Sequence, residues 1–262
     1  MFVVNEADKN PDYVGKIARV HIPPNPKGKP LIILFTGNGE KIPLDEDRSG
    51  ISHTFHKIKE DNNAIVIWFR TGFAMDEVKN LFVLNGKYAY EHEVVYEHTK
   101  NIIEDLIKEY NPSEIRMAGY SWGGGTIQKL SHDKDCLQGK PVKVTVMVDA
   151  IELGMRHFRS SVRERPEFNN SPNHIHFHYY QKSQTLDKGL ATPVADILLP
   201  YGDTPIKRVF EKRFFGLITT WHSVIDKQPG DVIERIPDTD HMKIDNVIKD
   251  KIYSGVISGM SK

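Results

Sequence analysis

Short apolar runs alternate along the chain with longer segments whose apolar positions recur every three or four residues. "LIILFT" (Leu31 to Thr36) and "AIVIWF" (Ala64 to Phe69) are nearly continuous apolar runs, the pattern of strands covered on both faces. "GKIARVHI" (Gly15 to Ile22) alternates instead, and the "PPNPKGKP" after it is turn chemistry. In "ISHTFHKIKE" the residues Ile51, Phe55 and Ile58 share one helix face. Val94, Val95, Ile102, Ile103, Leu106 and Ile107 predict a long helix around Glu93 to Tyr110, ended by Pro112. Further strands are predicted at "EIRMAG", "VKVTVMV" (Val142 to Val148), "HIHFHYY" (His174 to Tyr180) and "DVIERI" (Asp231 to Ile236), with a closing helix from about Ile244 to Ile257. Strands alternating with helices predict an α/β fold, a mostly parallel sheet with helices on both faces.

Two connections, Ala150 to Asn173 and Lys182 to Gly230, exceed a simple crossover, and such lengths belong to binding loops or a lid. Neither shows a break in composition. The expectation is therefore one domain over residues 1–262, with lid or binding insertions at about 150–173 and 182–230. At 262 residues and 39% hydrophobic, the chain has ample material for a core. Thirty-five basic residues balance thirty-five acidic ones, so no global field draws it to nucleic acid or a membrane. One cysteine, Cys136, excludes an internal disulfide and a multi-cysteine zinc site. No stretch reaches the roughly 18 apolar residues of a span, and the N-terminus lacks a secretory pattern. The expected location is the cytoplasm; secretion without an N-terminal signal is the alternative.

The stretch that asks for explanation is "IRMAGYSWGGGTIQKL" (Ile115 to Leu130), with four glycines in the seven residues from Gly119 to Gly125. "GYSWG" fits G-x-S-x-G with a strand before it and a helical pattern after it, the context of a nucleophile elbow. Ser121 would take a strained backbone angle that lifts its hydroxyl above the sheet. Gly119 and Gly123 would keep side chains out of the crowded crossing of strand and helix, and Gly124 and Gly125 would let the helix start pack close. The helix N-terminus points N–H groups at the space above the serine, where negative charge would develop.

With this elbow and its alternation of elements, the chain resembles the α/β-hydrolase superfamily, from roughly Lys16 to the C-terminus. It is most similar to esterase-, lipase- and thioesterase-like members. The resemblance implies a general base on the loop after the last strand, which here reads "PDTDHMKID" and supplies His241. For the acid it implies one of two places. Just past the penultimate strand stand Gln181 and Ser183, and the first carboxylate is Asp187. At the tip of the strand after the elbow stands Asp149, where active-site residues gather in open parallel sheets. Asp149 is preferred and Asp187 is the alternative; Asp240, beside His241, is expected to point elsewhere. The implied oxyanion donors are the N–H groups of Trp122 and of Asn38 in "TGNGE", where Thr36 replaces the histidine frequent in the family.

Other clusters receive plainer readings. His174, His176 and His178 share one strand face and are expected to form a polar face, without metal. Arg156, His157, Arg159, Arg163 and Arg165 are expected in a solvated basic loop, with an anion-holding role as the alternative. Phe210, Phe214, Phe215, Leu217 and Trp221 would floor an acyl pocket or pack a lid or core. The expected function is a serine hydrolase, cleaving a carboxylic ester or thioester through an acyl-enzyme with no metal or organic cofactor. Its substrate would be a small-molecule or lipid acyl compound. The alternatives are a lipase or phospholipase, and a non-catalytic binding protein on the same fold.

Overall fold

The computed structural model describes residues 18–37, 49–69, 71, 84–153, 159–161, 165–181, 206–213, 218–225, 227–241 and 243–260. Its strands are β1 (Ala18–His21), β2 (Leu31–Phe35), β3 (Ile65–Phe69), β4 (Ile115–Tyr120), β5 (Val142–Val148), β6 (Ile151–Leu153), β7 (Arg159–Ser161), β8 (Ile175–Tyr180), β9 (Ile206–Arg213), β10 (Ile218–Ile225) and β11 (Val232–Arg235). The helices are α1 (Gly50–Asp61), α2 (Leu84–Tyr110), α3 (Trp122–His132), α4 (Ile244–Val247) and α5 (Lys249–Val256), with a 3-10 turn at Lys134–Leu137. Seven strands form one sheet in the order β1-β3-β2-β4-β5-β8-β11. Only β1 runs antiparallel to its neighbour; the other pairings are parallel.

The apolar runs explain this layering. Every residue of β2, β3 and β4 is buried, and alternate side chains leave opposite faces. Leu31, Ile33, Phe35, Ile65, Ile67 and Met117 pack with Ile103 and Leu106 of α2 and Ile127 and Leu130 of α3. Ile32, Leu34, Val66, Trp68, Ala118 and Val146 pack with Ile51 and Phe55 of α1 and Ile252 and Val256 of α5. Helix α1 begins at a capping box in which Ser49 and Ser52 each accept the other's backbone N–H. It ends at Asn62 in the left-handed region. Arg116 turns inward from β4 and donates to the Val256 and Ser258 carbonyls at 2.8 and 2.7 Å. It thereby fastens the C-terminal end of α5 to the sheet, where a cation suits the helix dipole.

Several expectations need correction. Helix α2 starts at Leu84, nine residues before the apolar periodicity becomes clear. The closing helix is two helices, broken at Ile248. Both long connections carry antiparallel hairpins, β6 with β7 and β9 with β10. Phe210 and Trp221 lie opposite one another in the second hairpin, whereas Phe214, Phe215 and Leu217 lie outside the described residues. Among the described residues, no helix is long and apolar enough to cross a membrane.

Two polar clusters are also less solvated than their sequence implies. His174, His176 and His178 are all buried, and the Thr145 hydroxyl of β5 sits 2.8 Å from both His174 Nε2 and His176 Nδ1. The expected polar face exists, inside the molecule. Arg165 is not solvated either: its guanidinium holds both oxygens of Asp231 at 2.7 and 3.2 Å and donates to the His174 carbonyl at 2.7 Å. Arg156, His157 and Arg163 lie outside the described residues, and Arg159 lies on β7.

Candidate active site

Ser121 stands between the last residue of β4 and the first of α3 with φ 54° and ψ −118°. A side chain pays for such a conformation with strain that only a rigid surround sustains. The surround is visible in the glycines. A Cβ on Gly119 would run into the backbone of Gly123 and Gly124, and one on Gly123 would run into the Phe35 and Thr36 carbonyls. One on Gly124 would strike Ala150. The turn is also pinned by backbone bonds, from Ser121 N–H to the Val148 carbonyl at 2.9 Å and from Ile151 N–H to the Ser121 carbonyl at 3.0 Å.

The serine hydroxyl makes no cap to its own helix. It lies instead 2.9 Å from His241 Nε2. The other ring nitrogen, Nδ1, lies 2.7 Å from Asp149 Oδ2. These bonds join residues from β4, from the turn after β5 and from the loop after β11. Ser121 and His241 are 4% exposed and Asp149 is fully buried.

The chain has the α/β-hydrolase fold.

The fold places all three groups at the C-terminal ends of parallel strands, the end where open α/β sheets gather their sites. Asp149 follows β5 with φ 44°. Its N–H donates to the Tyr179 carbonyl at 2.8 Å, and its Oδ1 accepts from the Gln181 N–H at 3.4 Å. Asp240, beside His241 in sequence, pairs with Lys243 at 3.0 Å. Asp187 and Asn38 lie outside the described residues. Trp122 opens α3, so its N–H belongs to the first turn, whose donors the helix cannot satisfy internally. Thr36, expected near the site, is buried, with its N–H on the Phe69 carbonyl and its carbonyl on the Thr71 hydroxyl.

Two side chains near His241 carry no signal in the sequence pattern. Tyr120 lies beside the His241 ring and donates its hydroxyl to the His241 carbonyl. Asp245, on α4, accepts from the Gly50 N–H at 3.0 Å and so ties the segment after His241 to the start of α1. Burial pushes the Asp245 carboxyl up to about 6, against the pull of N–H groups from Gly50 and Asn246 and of the His241 charge. Alternation alone revealed that the histidines on β8 share a face, but nothing in it revealed their burial. His178 is lowered to about 4 by burial, with the Asp149 charge acting the other way. Among the described residues, no group of three or more His, Cys, Asp or Glu is arranged to hold a metal ion.

No protein-family model matches the chain, and no curated protein matches it in sequence. Among solved structures it is similar to Est1E from Butyrivibrio proteoclasticus, solved with ferulic acid bound, at 10% identity and a TM-score of 0.44, over 92% of this chain and 95% of that one. It is also similar to XC6422 from Xanthomonas campestris, described as an α/β serine hydrolase without a lid, at 11% identity and a TM-score of 0.41, over 91% and 87% of the two chains. An α/β serine hydrolase homologue from Coxiella burnetii shares 10% identity at a TM-score of 0.44, over 90% and 89%.

Proposed function

We propose that this protein is a serine hydrolase of carboxylic esters or thioesters, with Ser121 as nucleophile, His241 as general base and Asp149 as the acid that orients it. The observation that carries the reading is the pair of bonds through one imidazole, 2.9 Å to the Ser121 hydroxyl and 2.7 Å to the Asp149 carboxylate. A serine hydroxyl attacks only when a base takes its proton, and an imidazole does so only in the tautomer with hydrogen on Nδ1. Asp149 holds that tautomer by accepting the Nδ1 hydrogen, and its charge stabilises the imidazolium once formed.

Ser121 Oγ bonds to the acyl carbon while its proton passes to His241 Nε2. The tetrahedral oxyanion is received by the N–H groups of Trp122 and Asn38, and one such donor typically contributes roughly 3 kcal/mol in the transition state. The carbon–oxygen or carbon–sulfur bond to the leaving group then breaks, and the alcohol or thiol departs with the proton from His241. Water gives a proton to the same nitrogen, adds to the acyl carbon and releases the acid, restoring Ser121. These steps require no metal or organic cofactor.

The test is a screen of p-nitrophenyl esters and acyl-coenzyme A thioesters beside labelling with a fluorophosphonate. The expected result is turnover and labelling by the wild type and neither by Ser121→Ala, with the variant folded. Full turnover by that variant overturns the proposal. A rate that jumps above the critical micelle concentration would assign the activity to lipid esters instead.

A further inference from the structure

Tyr120 is the member of the elbow motif to which the proposed chemistry gives no task. It is 6% exposed, and it meets both His241 and the turn after β2. Its ring lies 5.3 Å from the His241 ring, centroid to centroid, with 33° between the planes. Its hydroxyl donates to the His241 main-chain carbonyl. The same ring backs the turn after β2: a Cβ built on Gly37 would stand 2.7 Å from the Tyr120 ring and 3.4 Å from Ser121 Cβ.

The three contacts differ in what holds them. Tyr120 ends β4 opposite Val148 in the sheet and is bonded directly to Ser121, so its ring has a set relation to the nucleophile. His241 arrives on a loop after the edge strand β11, and Gly37 lies on the turn that leads to the expected oxyanion donor. Loop positions have few constraints of their own, and misplacement by about 1 Å can lower a rate by about 10²-fold.

We propose that Tyr120 is a positioning residue, whose ring and hydroxyl hold the His241 loop and the Gly37 turn in register with Ser121. This rests on the serine-hydrolase reading above. A phenylalanine would fill the same apolar space, but it could not donate to the His241 carbonyl.

Tyr120→Phe keeps the ring and removes the hydroxyl that donates to the His241 carbonyl. With a p-nitrophenyl ester, kcat should fall about tenfold, the value of one good hydrogen bond, with KM unchanged. Fluorophosphonate labelling of Ser121 should slow by a similar factor. Tyr120→Ala, which also removes the support of Gly37, should lose more of both rates. Wild-type kcat and labelling rate in folded Tyr120→Phe overturn the proposal, as does a lower melting temperature with an unchanged labelling rate. A wild-type protein that neither labels nor turns over would show that the hydrolase reading itself fails, and the positioning role with it.

Discussion

Serine at a helix N-terminus usually closes the first turn with its own hydroxyl, and Ser121 does not. Its hydroxyl is directed to His241, and the strain of its positive φ is carried by neighbours that cannot relax. Gly123 shows this most sharply, because its missing side chain is the space occupied by the Phe35 and Thr36 carbonyls. Gly123→Ala should therefore destabilise the protein by roughly 1–3 kcal/mol, as overpacking does, read as a lower urea midpoint at unchanged m-value. Asp149→Asn tests a different property. The amide fits the same space but can present N–H to His241 Nδ1, favouring the tautomer that cannot take the serine proton. A loss of about 10⁴ in kcat is expected, with circular dichroism unchanged. A loss of less than about tenfold would remove Asp149 from the role of orienting acid.

At the scale of elements, the two ends of the parallel strands do different work. The C-terminal ends of β4 and β5 and the loop after β11 supply the candidate site. The opposite ends of β8 and β11 are fastened by Arg165 and Asp231, with side chains 8% and 0% exposed. Asp231 also accepts from the N–H groups of His176 and Gln228, both at 2.8 Å. Removing one partner leaves the other charge buried, which costs about 3–5 kcal/mol. Arg165→Met should lower unfolding free energy by that amount in urea titration, while kcat per folded molecule stays at the wild-type value. Loss of kcat in the folded variant would mean the two strand ends are not independent.

At the scale of the whole molecule, the buried histidines lead the response to acid among the described residues. His174 and His178 are lowered to about 4 and His176 well below its usual value, all chiefly by burial. Between about pH 6.5 and 4 the unfolded chain binds more protons at these rings, so they subtract stability as the pH falls through that window. Asp245 acts in the opposite sense. Its carboxyl is raised to about 6, so between pH 6 and its ordinary value the folded state holds the extra proton and gains. Among the described residues three such groups oppose one, and the histidine charges disfavour one another. The unfolding free energy should accordingly be lower at pH 5 than at pH 7; equal or greater stability at pH 5 would contradict the assignment of the histidines as buried and neutral.

The apolar runs of β2, β3 and β5 and the helical periodicity around Ile102 to Ile107 made the layered sheet legible, because burial on both faces leaves a local pattern. The elbow was legible for the same reason: its glycines answer a crowding that recurs within a few residues. The preference for Asp149 over Asp187 drew on the strand before it. What the sequence could not determine lies in contacts between distant segments. Nothing local marks Tyr120 as a neighbour of His241, Asp245 as a neighbour of Gly50, or Arg165 as the partner of Asp231. The hairpins β6–β7 and β9–β10 left no clear alternation, since strands outside the main sheet need not bury a whole face. Sequence determined which segments could be strands and where a serine could be exposed; only the folded chain decided which imidazole, carboxylate and phenol surround it, because those distances depend on how remote elements pack.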